Sequence, residues 1–418
     1  MNDVLPDALH AWQHLEAVAR ELLTAYGYAE IRVPIVEHTE LFRRAIGEHT
    51  DVVEKEMYTF TDQGGDSLTL RPEGTAGIAR ALISNGMLRG QRHKLWLAGP
   101  MFRHEKPQKG RYRQFNQFSV EAVGLTGPDV DAELIALSAR WWRRLGITRV
   151  RLQLNSLGTP EARRSYRTAL TEYFRAQESR LDADSRRRLT ANPLRILDSK
   201  NPDMQPLIAG APLLPDYLDG ESREHFAGLC EMLQALEIDY ELNPRLVRGL
   251  DYYSRTVFEW ITDALGAQDA VCSGGRYDGL IGQLGGEPTP AVGFALGVER
   301  AVELLRQAQP QGPSGTPQVY VIASAGRPSL EALRLIERLR DLRPEYRYEL
   351  ALGGGNFKAQ FRRADRSGAP LALILGEAEL ARGVVALKPL RAESGQTECP
   401  LAELPGRLEG ALAAARAG

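Results

Sequence analysis

The sequence predicts an α+β protein with an antiparallel sheet flanked by helices, a helical insertion and a second, smaller α/β domain. Two runs of alternating residues, 94–105 and 113–124, flank the turn-forming segment "KPQKG" and predict a pair of antiparallel strands. Residues 160–239 contain polar helical segments without strand alternation, which indicates the insertion. The segment "QAQPQGPSGTPQ", 307–318, has the Pro, Gly, Ser and Gln content of a linker.

The linker divides the chain into two predicted domains. A chain of 418 residues is too long for one compact core. We expect a large domain at 1–306, which includes the insertion, and a smaller domain at 319–418. In the smaller domain the runs "VYVIAS", "YRYELAL", "LALILG" and "GVVALKPL" alternate with helical stretches, which predicts an α/β unit with a mixed sheet.

The first element is predicted to be an amphipathic helix. Apolar side chains recur every three or four residues, at Trp12, Leu15, Val18, Leu22 and Tyr26. Pro6 suits the first turn of this helix and Gly27 suits its end. The strand-like run "AEIRVPIVE" follows, and Pro34 interrupts it, so we expect this strand at a sheet edge or at an interface.

The composition excludes several classes of protein. The net charge is −2, and 43% hydrophobic and 25% charged residues are typical of a globular protein. No apolar run reaches the roughly 18 residues of a membrane span. The start "MNDVLPDALHAW" is unlike a secretion signal, so we expect a cytoplasmic protein. The three cysteines and seven histidines show no metal-ligand spacing, so we expect no structural metal.

Positive charge is concentrated in the segment "FRHEKPQKGRYRQF", 102–115. Arginine offers a planar fork that matches phosphate oxygens, so Arg103, Arg111 and Arg113 could hold phosphates. Phe115 could stack on a base, and Glu105 could accept a hydrogen bond from an exocyclic amine. These features indicate a nucleotide bound on an antiparallel sheet. A solvated basic hairpin would show the same pattern, and both interpretations stay open on this segment alone.

Two further segments carry fixed charges beside glycines. In "LVRGLDYYSRTVFEW", Gly249 allows a close approach of the backbone while Arg248 projects a charge beside Tyr252 and Tyr253. The alternative is a strand with two packed tyrosines. In "AVGFALGVER" the small residues precede a helix, and Arg300 could reach a terminal phosphate. The alternative is an arginine that starts a helix in solvent.

Acidic and polar side chains supply possible contacts to an amine. Glu73 and Thr75 lie near a predicted strand end in "RPEGTAGIAR". Gln117 and Glu121 alternate with Phe115, so these three share one face of a strand. If that face is buried, the polar groups need partners, which either a ligand or internal hydrogen bonds would supply. The chain has no Walker A, GxGxxG or GxSxG sequence, which argues against the folds that carry them.

Taken together, these segments resemble class II aminoacyl-tRNA synthetases, and within them the histidyl-tRNA synthetase family. Residues 102–124 resemble motif 2, "AVGFALGVER" resembles motif 3, and the first helix with the Pro34 region resembles motif 1, the dimerisation element. "RGLDYY" and "GGRYDGL" resemble two signatures of the histidyl enzymes. "GGGNFKAQFRRADRSGAPLALILGEAEL" resembles their C-terminal anticodon-binding domain. The chain departs from the family pattern at His104, Asn116, Ser273, Ser254 and Arg255.

The resemblance implies a fold and a reaction. The large domain would be a class II catalytic domain and the smaller one an anticodon-binding domain. The protein would activate L-histidine with ATP, form histidyl-adenylate and pyrophosphate, and transfer histidine to the 3′ end of its tRNA with release of AMP. Mg²⁺ would accompany the ATP phosphates, no metal site of protein ligands would be needed, and the enzyme would be a homodimer.

The resemblance also implies roles for single residues. Arg103 would contact the α-phosphate of ATP, and Arg248 would stabilise charge there during attack by the histidine carboxylate. The other ATP contacts would be Glu105 and Phe115 at the adenine and Arg111, Arg113 and Arg300 at the outer phosphates. Gln108 would meet the acceptor end of the tRNA. Histidine would be held by Glu73, Gly74, Thr75, Arg103, Gln117, Glu121, Arg248, Tyr252 and Tyr253, with Glu121 and the tyrosines at the imidazole.

Two other functions compete with this interpretation. A relative of the synthetases serves as the regulatory subunit of ATP phosphoribosyltransferase and binds histidine without activating it. That relative is expected to lack "RGLDYY" and the C-terminal domain, and this chain has both. A nucleic-acid-binding module on an inactive synthetase core is the second, but broad nucleic-acid binding needs a large basic surface and the net charge is −2.

Overall fold

The computed structural model describes residues 2–416 except 49, 106–109, 198, 200, 267–269, 310–314 and 393–394. The chain forms two compact units, Met1–Pro313 and Ser314–Gly418. Part of the predicted linker, 310–314, lies outside the described residues. The helix Val298–Ala308 extends into the start of that predicted linker, because its apolar positions remain buried up to Leu305.

The strands of the first unit build two sheets. In chain order they are β1 (Ala29–Glu30), β2 (Val36–His38), β3 (Tyr58–Thr61), β4 (Ser67–Leu70), β5 (His93–Phe102), β6 (Gln114–Val123), β7 (Arg151–Ser156), β8 (Glu241–Leu242), β9 (Ser254–Ile261), β10 (Ala270–Arg276) and β11 (Ala291–Gly297). The large sheet has the order β1-β5-β6-β11-β10-β9-β7-β8. It is antiparallel except at its edges, where β1 and β8 run parallel to their neighbours. The predicted antiparallel pair is β5 and β6, so this part of the sequence prediction is confirmed.

The run around Pro34 does not form one strand. It is divided into β1, at an edge of the large sheet, and β2, in a three-stranded sheet of order β2-β4-β3. Pro34 lies between the two strands, where its missing N–H leaves no gap in a ladder. The expectation of an edge position is therefore met by both short strands.

The helices of the first unit cover the large sheet and form the insertion. They are α1 (Pro6–Ala25), α2 (Thr39–Ile46), α3 (Thr75–Ser84), α4 (Pro128–Arg144), α5 (Pro160–Arg175), α6 (Ala183–Ala191), α7 (Gln205–Ala209), α8 (Gly220–Ala235), α9 (Leu280–Gln283) and α10 (Val298–Ala308). A π-helical turn spans Val52–Glu56, and 3₁₀ turns span Glu178–Arg180, Pro193–Ile196, Pro202–Met204 and Leu214–Tyr217. The described residues of 160–239 are helical or irregular, as predicted.

One face of the large sheet is sealed by a hydrophobic core. The predicted periodicity of α1 is confirmed, since Trp12, Leu15, Val18 and Leu22 are buried. They pack in the same cluster as α4, α10 and the inner residues of the strands, such as Phe118 and Phe294. Burial of this stripe contributes about 25 cal/mol for each Å² of apolar surface that leaves water. The opposite face carries the polar residues of β6 together with apolar residues of a second core cluster, such as Leu95 and Leu97 on β5.

Two glycines of the segment "CSGGRYDGL" lie in the centre of the sheet. The structure places Gly274 and Gly275 inside β10, a central strand. A Cβ on Gly274 would lie 2.3 Å from the carbonyl oxygen of Gly293, and one on Gly275 would lie 2.5 Å from that of Thr256. Glycine is required here because neighbouring backbone and side chains approach too closely for any other residue.

A buried charge cluster joins α4, α8 and β10. The Arg276 guanidinium, which is fully buried, donates to the Asp131 carboxylate and to the carbonyl oxygens of Leu125 and Gly127. His225 Nε2 lies 3.4 Å from Asp131 Oδ1. Burial acts to raise the pKa of Asp131, but the hydrogen bond from His225 and the charge of Arg276 hold it below its ordinary value. The carboxylate is therefore ionised at neutral pH.

The second unit is a five-stranded mixed sheet with helices. Its strands are β12 (Val319–Ala323), β13 (Tyr348–Leu350), β14 (Leu371–Leu375), β15 (Val384–Pro389) and β16 (Thr397–Pro400), and its helices are α11 (Arg327–Leu342), α12 (Phe357–Ser367), α13 (Glu377–Ala381) and α14 (Leu404–Arg416). The order is β13-β12-β14-β15-β16, parallel from β13 to β14 and antiparallel beyond. The mixed sheet predicted from sequence is confirmed. Within the described part of the whole chain, no helix has the length and apolar character needed to cross a membrane.

Replacement of Asp131 by Asn is expected to lower the free energy of unfolding of the first unit by about 3 kcal/mol. The mutation leaves the Arg276 charge buried without its main partner. Urea unfolding followed by tryptophan fluorescence measures this, because all five tryptophans lie in the first unit. The difference from wild type should shrink as the pH falls through the lowered pKa of Asp131, where protonation removes the same charge.

Asp263→Asn is the matched control, since Asp263 pairs with Arg149 at the surface and both side chains are largely exposed. Its effect is expected to stay within about 0.5 kcal/mol. Equal losses in the two variants would contradict the account of the buried cluster.

Candidate active site

The polar face of the large sheet has a floor of small residues at its centre. The site floor consists of Ser273 and Gly275 on β10 and Gly293, Ala295 and Gly297 on β11. In the register of the sheet, Ser119 on β6 lies beside Ala295, Ala295 beside Ser273, and Ser273 beside Glu259 on β9. These residues share one face, because side chains two positions apart on a strand point the same way. The polar side chains of β6 and β9 therefore lie on one face of the sheet, separated by a strip of small residues.

Strand β6 presents polar groups to this strip. Gln117 and Glu121 alternate with Phe115 along the strand, as the sequence predicted, and Ser119 shares their face. Gln117 Oε1 and Ser119 Oγ are buried and make no hydrogen bond within the described part of the chain. Buried polar atoms almost always have partners in folded proteins. A bound ligand would supply the missing ones.

Glu121 is held by two hydroxyl groups. Its Oε1 accepts a hydrogen bond of 2.7 Å from Thr75 Oγ1, and its Oε2 accepts one from the Tyr277 hydroxyl. Gly293 makes room for the carboxylate, since a Cβ there would lie 1.7 Å from Oε2. Burial raises the pKa of Glu121 to about 8, although both hydroxyl donors act to lower it. At neutral pH this acid is therefore mostly protonated in the unliganded protein.

Glu73 lies at the same end of the site as Glu121. Its two carboxylate oxygens accept hydrogen bonds of 2.7 and 2.8 Å from the backbone N–H groups of Thr75 and Ala76, at the start of α3. Gly74 lies against β6, where a Cβ would be 2.5 Å from Ser119 Oγ. Burial raises the pKa of Glu73 above its ordinary value. Glu73 thus caps α3 and keeps further acceptor capacity, since each carboxylate oxygen can accept more than one bond.

Three tyrosine rings surround the acidic end. The ring centroids of Tyr252 and Tyr253 are 4.7 Å apart, and the Tyr277 centroid is 5.5 Å from that of Tyr252 and 6.4 Å from that of Tyr253. All three are buried. Sequence reasoning missed Tyr277 as a site residue. Its position in the signature "GGRYDGL" was a signal that could have indicated it. Its hydroxyl contacts Glu121, however, and these two residues are far apart in the chain.

Arg248 lies at the opposite side of the site floor. It belongs to an irregular segment that precedes β9, so the strand expected in the alternative interpretation is wrong, whereas its two packed, buried tyrosines are present. Its guanidinium pairs with the Glu259 carboxylate and lies 5.5 Å from the centre of the Tyr253 ring. Burial acts to lower the pKa of Arg248, but the Glu259 charge raises it above its ordinary value. Arg248 is thus a fixed cation paired to β9, which is the third strand from β6 in the sheet.

Arg103 follows the end of β5, and Phe115 lies at the start of β6. The Arg103 backbone N–H donates 2.9 Å to the Arg113 carbonyl oxygen, its Nε donates 2.9 Å to the Pro72 carbonyl oxygen, and its guanidinium lies 5.5 Å from the Phe115 ring centre. Glu105 pairs with Arg111 at 2.6 Å. Two predicted ATP contacts therefore bind each other in the unliganded protein. Gln108, Lys106 and Lys109 lie outside the described residues.

Arg300 is buried rather than exposed at the start of α10, so the alternative of a solvated helix-start arginine is wrong. Its side chain lies against Gly110, where a Cβ would be 3.3 Å from Arg300 Cγ. The neighbouring Glu299 accepts hydrogen bonds of 2.8 and 3.2 Å from the backbone N–H and the side-chain amide of Asn116. Both contacts hold the start of α10 to the segment that carries Arg103 and Phe115.

The site has carboxyl and hydroxyl groups at one side and arginines at its other sides. Glu121, Glu73 and Thr75 gather at the β6 side of the site floor, and the tyrosines lie between them and Arg248. Arg103 lies just after β5, and Arg300 lies at the start of α10. No group of three or more His, Cys, Asp or Glu side chains that could hold a metal ion occurs among the described residues. The site can thus grip an anion with arginines while it binds a small polar molecule with hydroxyls and carboxyls.

Comparisons with known proteins identify the family. A family model described as histidyl-tRNA synthetase matches residues 1–301, and one described as anticodon binding domain matches residues 318–410. A histidine–tRNA ligase of Alkalilimnicola ehrlichii is 59% identical over 395 residues, which cover 94% of this chain and 91% of that protein.

Two solved structures are also similar. Apo histidyl-tRNA synthetase of S. aureus superposes with a TM-score of 0.79 at 33% identity and covers 97% of both chains. A Bacillus halodurans structure described as an ATP phosphoribosyltransferase regulatory subunit/histidyl-tRNA synthetase has a TM-score of 0.62 at 23% identity, over 87% of this chain and 94% of that one, and shares the fold alone. The family model that spans most of the sequence, together with the close ligase relative, shows that the chain belongs to the histidyl-tRNA synthetase family of class II aminoacyl-tRNA synthetases.

Proposed function

We propose that histidine is activated on the polar face of the large sheet, between the acidic end at Glu121 and the arginines at its other sides. As a member of its family the chain is an aminoacyl-tRNA ligase that uses ATP to join histidine to tRNA. The observation that carries the location is the pair of buried acceptors that have no partner among the described residues, Gln117 Oε1 and Ser119 Oγ, beside the small residues of the site floor. A ligand there would satisfy atoms that the described protein leaves unpaired.

Histidine is proposed to lie with its imidazole against Glu121 and the tyrosine pair Tyr252 and Tyr253. An ionised Glu121 accepts from one imidazole N–H, while the tyrosine rings exclude water. The amino group lies near Glu73, Thr75 and Gln117, where carboxylate, hydroxyl and amide oxygens accept its hydrogens, and Gly74 permits the close approach. A site that pairs buried polar groups with its substrate rejects analogues without them by about 10⁴–10⁵.

ATP is proposed to lie across the β5–β6 turn. Phe115 stacks on the adenine, and Glu105 accepts from its exocyclic amine. Arg111, which pairs with Glu105 in the unliganded protein, exchanges this partner for a phosphate when ATP binds. Arg113 and the buried Arg300 complete the contacts to the outer phosphates. The chemistry supporting these roles is the fixed, bidentate charge of guanidinium groups.

The activation step is proposed to need positioning and charge neutralisation rather than a general base. A carboxylate oxygen of histidine attacks the α-phosphorus, the bond to the bridging oxygen breaks, and pyrophosphate leaves. Arg103 and Arg248 neutralise charge on the α-phosphate and orient the histidine carboxylate. Glu259 keeps Arg248 fixed before substrates arrive, so little reorganisation accompanies the reaction. A ribose hydroxyl at the tRNA 3′ end then attacks the histidyl carbonyl, and AMP leaves.

Mg²⁺ is proposed to enter with the nucleotide. The described site offers arginines rather than a cage of carboxylates around the proposed phosphate position. Mg²⁺ commonly keeps water and phosphate oxygens as ligands in such sites. The ion would lower the charge of the outer phosphates, while the arginines of this chain hold them in place.

The remaining proposals concern the division of the chain and its partners. We assign residues 1–306 to activation, 307–318 to a linker and 319–418 to anticodon binding, with Gln108 at the acceptor end of the tRNA and the protein in the cytoplasm. The family models at 1–301 and 318–410 support this division. The regulatory-subunit alternative is less supported, because the relative at 59% identity is a ligase and the anticodon-domain model matches.

A homodimer is proposed to form through the three-stranded sheet. Its register places Val36, Tyr58 and Leu70 in one row and Leu68 and Phe60 in the next, all on one face. Val36 and Phe60 are exposed, and the other three are half-buried. An apolar face of this kind on an isolated chain is typical of an interface.

Arg248→Ala is expected to reduce histidine-dependent exchange of pyrophosphate into ATP by about 10²–10³-fold, because a fixed cation at the α-phosphate is lost. Histidine should still bind, with its dissociation constant changed less than about fivefold, as measured by calorimetry. Arg149→Ala, which removes an exposed arginine of the same unit, should leave exchange unchanged. Wild-type exchange by Arg248→Ala would contradict the proposed role.

Histidine binding is expected to strengthen severalfold between pH 7 and pH 8.5. The pKa of Glu121 is raised to about 8, so its carboxyl gains the charge that accepts the imidazole N–H within this range. Calorimetric titration at several pH values measures the dissociation constant. Glu121→Gln should bind more weakly and show a flat profile, so an equal pH slope in both proteins would contradict the assignment.

Phe60→Glu is expected to weaken the dimer of the 46.3-kDa chain by at least about tenfold, because the interface would bury a carboxylate without a partner. Sedimentation velocity over a range of concentrations measures the dissociation. Leu242→Glu replaces an exposed leucine of the edge strand β8 and should leave the dimer intact. A Phe60→Glu protein that sediments as the wild type would place the interface elsewhere.

A further inference from the structure

The segment that carries Arg248 depends on distant parts of the chain for its position. This Arg248 loop, residues 243–253, joins β8 to β9 without forming a helix or strand. The backbone N–H of Asp251 donates 3.0 Å to the Ile46 carbonyl oxygen at the end of α2. The Asp251 side chain presses on Gly47, where a Cβ would lie 2.6 Å from its Oδ2. One side of the loop is thus held by the region after α2.

The insertion holds the other side of the loop. Arg163 on α5 donates 3.2 Å to the Asp251 carbonyl oxygen, and the Asn192 amide donates 3.2 Å to Asp251 Oδ1. Arg195, in the 3₁₀ turn after α6, donates 3.3 Å to the carbonyl oxygen of Gly249, the residue next to Arg248. A Cβ on Gly249 would lie 3.1 Å from Arg195 Nη1, so glycine permits this approach. Gly249 therefore allows the insertion to approach the loop closely.

Arg195 also joins the loop to the segment before β3. Its second guanidinium nitrogen pairs with the Asp51 carboxylate, and its side chain is only 14% exposed. Burial acts to raise the pKa of Asp51, but Arg195, Lys55 and Arg188 hold it below its ordinary value. The pair is therefore charged at neutral pH and partly shielded from solvent, where it is stronger than a surface pair.

The segment that Arg195 grips leads to the other proposed catalytic arginine. The π-helical turn that follows Asp51 ends at Glu56, whose carbonyl oxygen accepts a 2.7 Å hydrogen bond from the His104 backbone N–H. His104 follows Arg103 directly. One guanidinium of the insertion is therefore hydrogen-bonded beside Arg248 and ion-paired to the segment that ends beside Arg103.

We propose that Arg195 is a positioning residue through which the helical insertion sets Arg248 for histidine activation. The inference rests on the proposed function, since the role of Arg248 belongs to it. One nitrogen of the Arg195 guanidinium donates to Gly249 and another donates to Asp51. The two contacts of this fork together fix the loop backbone against a second anchored segment. Misplacement of a reacting group by about 1 Å can reduce a rate by 10²-fold, so the loss of this fork affects catalysis without touching a substrate.

The test is a double-mutant cycle between Arg195 and Arg248. Arg195→Met is expected to lower kcat for pyrophosphate exchange by about 10- to 100-fold in the wild-type background, with KM for histidine within about twofold. In the Arg248→Ala background the same change should cost less than about twofold, because its target is absent. Equal losses in both backgrounds would show that Arg195 does not act through Arg248 and would overturn the proposal.

Further variants separate positioning from folding. Arg187→Met is the matched control, since Arg187 lies on the same insertion and pairs only with Asp184 in an exposed contact among those described. It should keep wild-type kcat and the wild-type unfolding midpoint. Arg195→Met is expected to lower the midpoint, because Asp51 loses a partly buried partner, so kcat is compared at a temperature at which both variants are fully folded. Asp51→Asn, which removes the other end of the fork, should lower kcat in the same direction. Arg195→Lys retains the charge but not the fork and should recover part of kcat, so no recovery would contradict the proposal.

Failure of the inference and failure of the proposed function give different results. If Arg248→Ala keeps wild-type exchange, the proposed role of Arg248 is wrong, whatever Arg195→Met does. If Arg248→Ala loses exchange and Arg195→Met does not, the proposed function stands and the positioning role is wrong.

Discussion

The site depends on the absence of side chains at the centre of the large sheet. Gly293 leaves the space that the Glu121 carboxylate fills, and Gly275 leaves the space that Tyr253 covers. Because β10 and β11 carry only small residues on this face, polar groups from β6 and β9 can meet a common ligand across the strip between them. The core on the opposite face, built from Trp141, Phe118 and Phe294 among others, keeps the strands rigid beneath this open surface.

The buried ionisable groups at the two ends of the site differ in how their charge is controlled. At the acidic end, neutral hydroxyls of Thr75 and Tyr277 hold Glu121, so its charge depends on pH and on the ligand. At the far side, Arg248 is already paired with Glu259 and stays charged. A carboxyl of adjustable charge suits recognition of an imidazole, whereas permanent guanidinium charge suits a phosphate. This difference supports the proposal that one sheet face binds both histidine and the phosphates of ATP.

Local patterns carried much of the prediction. The periodicity of α1, the β5–β6 pair, the strand-to-helix passage at Arg300 and the helical character of 160–239 follow from neighbours in sequence, which the patterns report directly. Several contacts that complete the site were not indicated by local patterns. Glu259 lies only 11 residues after Arg248, but no pattern indicates that the two side chains pair, and Arg195 lies 54 residues from Gly249 in a polar stretch without a motif. Such partners are determined by tertiary packing, which the periodicity of a sequence does not reveal.

The glycines also show that tertiary packing can outweigh a local preference. Gly274 and Gly275 favour a turn by local preference, yet they lie in a central strand, because the close approach of neighbouring chains outweighs that preference. The resemblance to a family supplied roles that local patterns could not, and the family is now shown by comparison. Tyr277 was within a recognised signature and still went unassigned, since its role depends on the position of Glu121.

A crystal structure of the protein with histidine and a non-hydrolysable ATP analogue tests the central claim most directly. The account predicts that the imidazole lies within hydrogen-bonding distance of the Glu121 carboxylate and that the Arg103 and Arg248 guanidinium groups contact the same α-phosphate. A complex in which Arg103, Arg248 and Arg300 face different ligands, or in which Gln117 and Ser119 remain without partners, would contradict it.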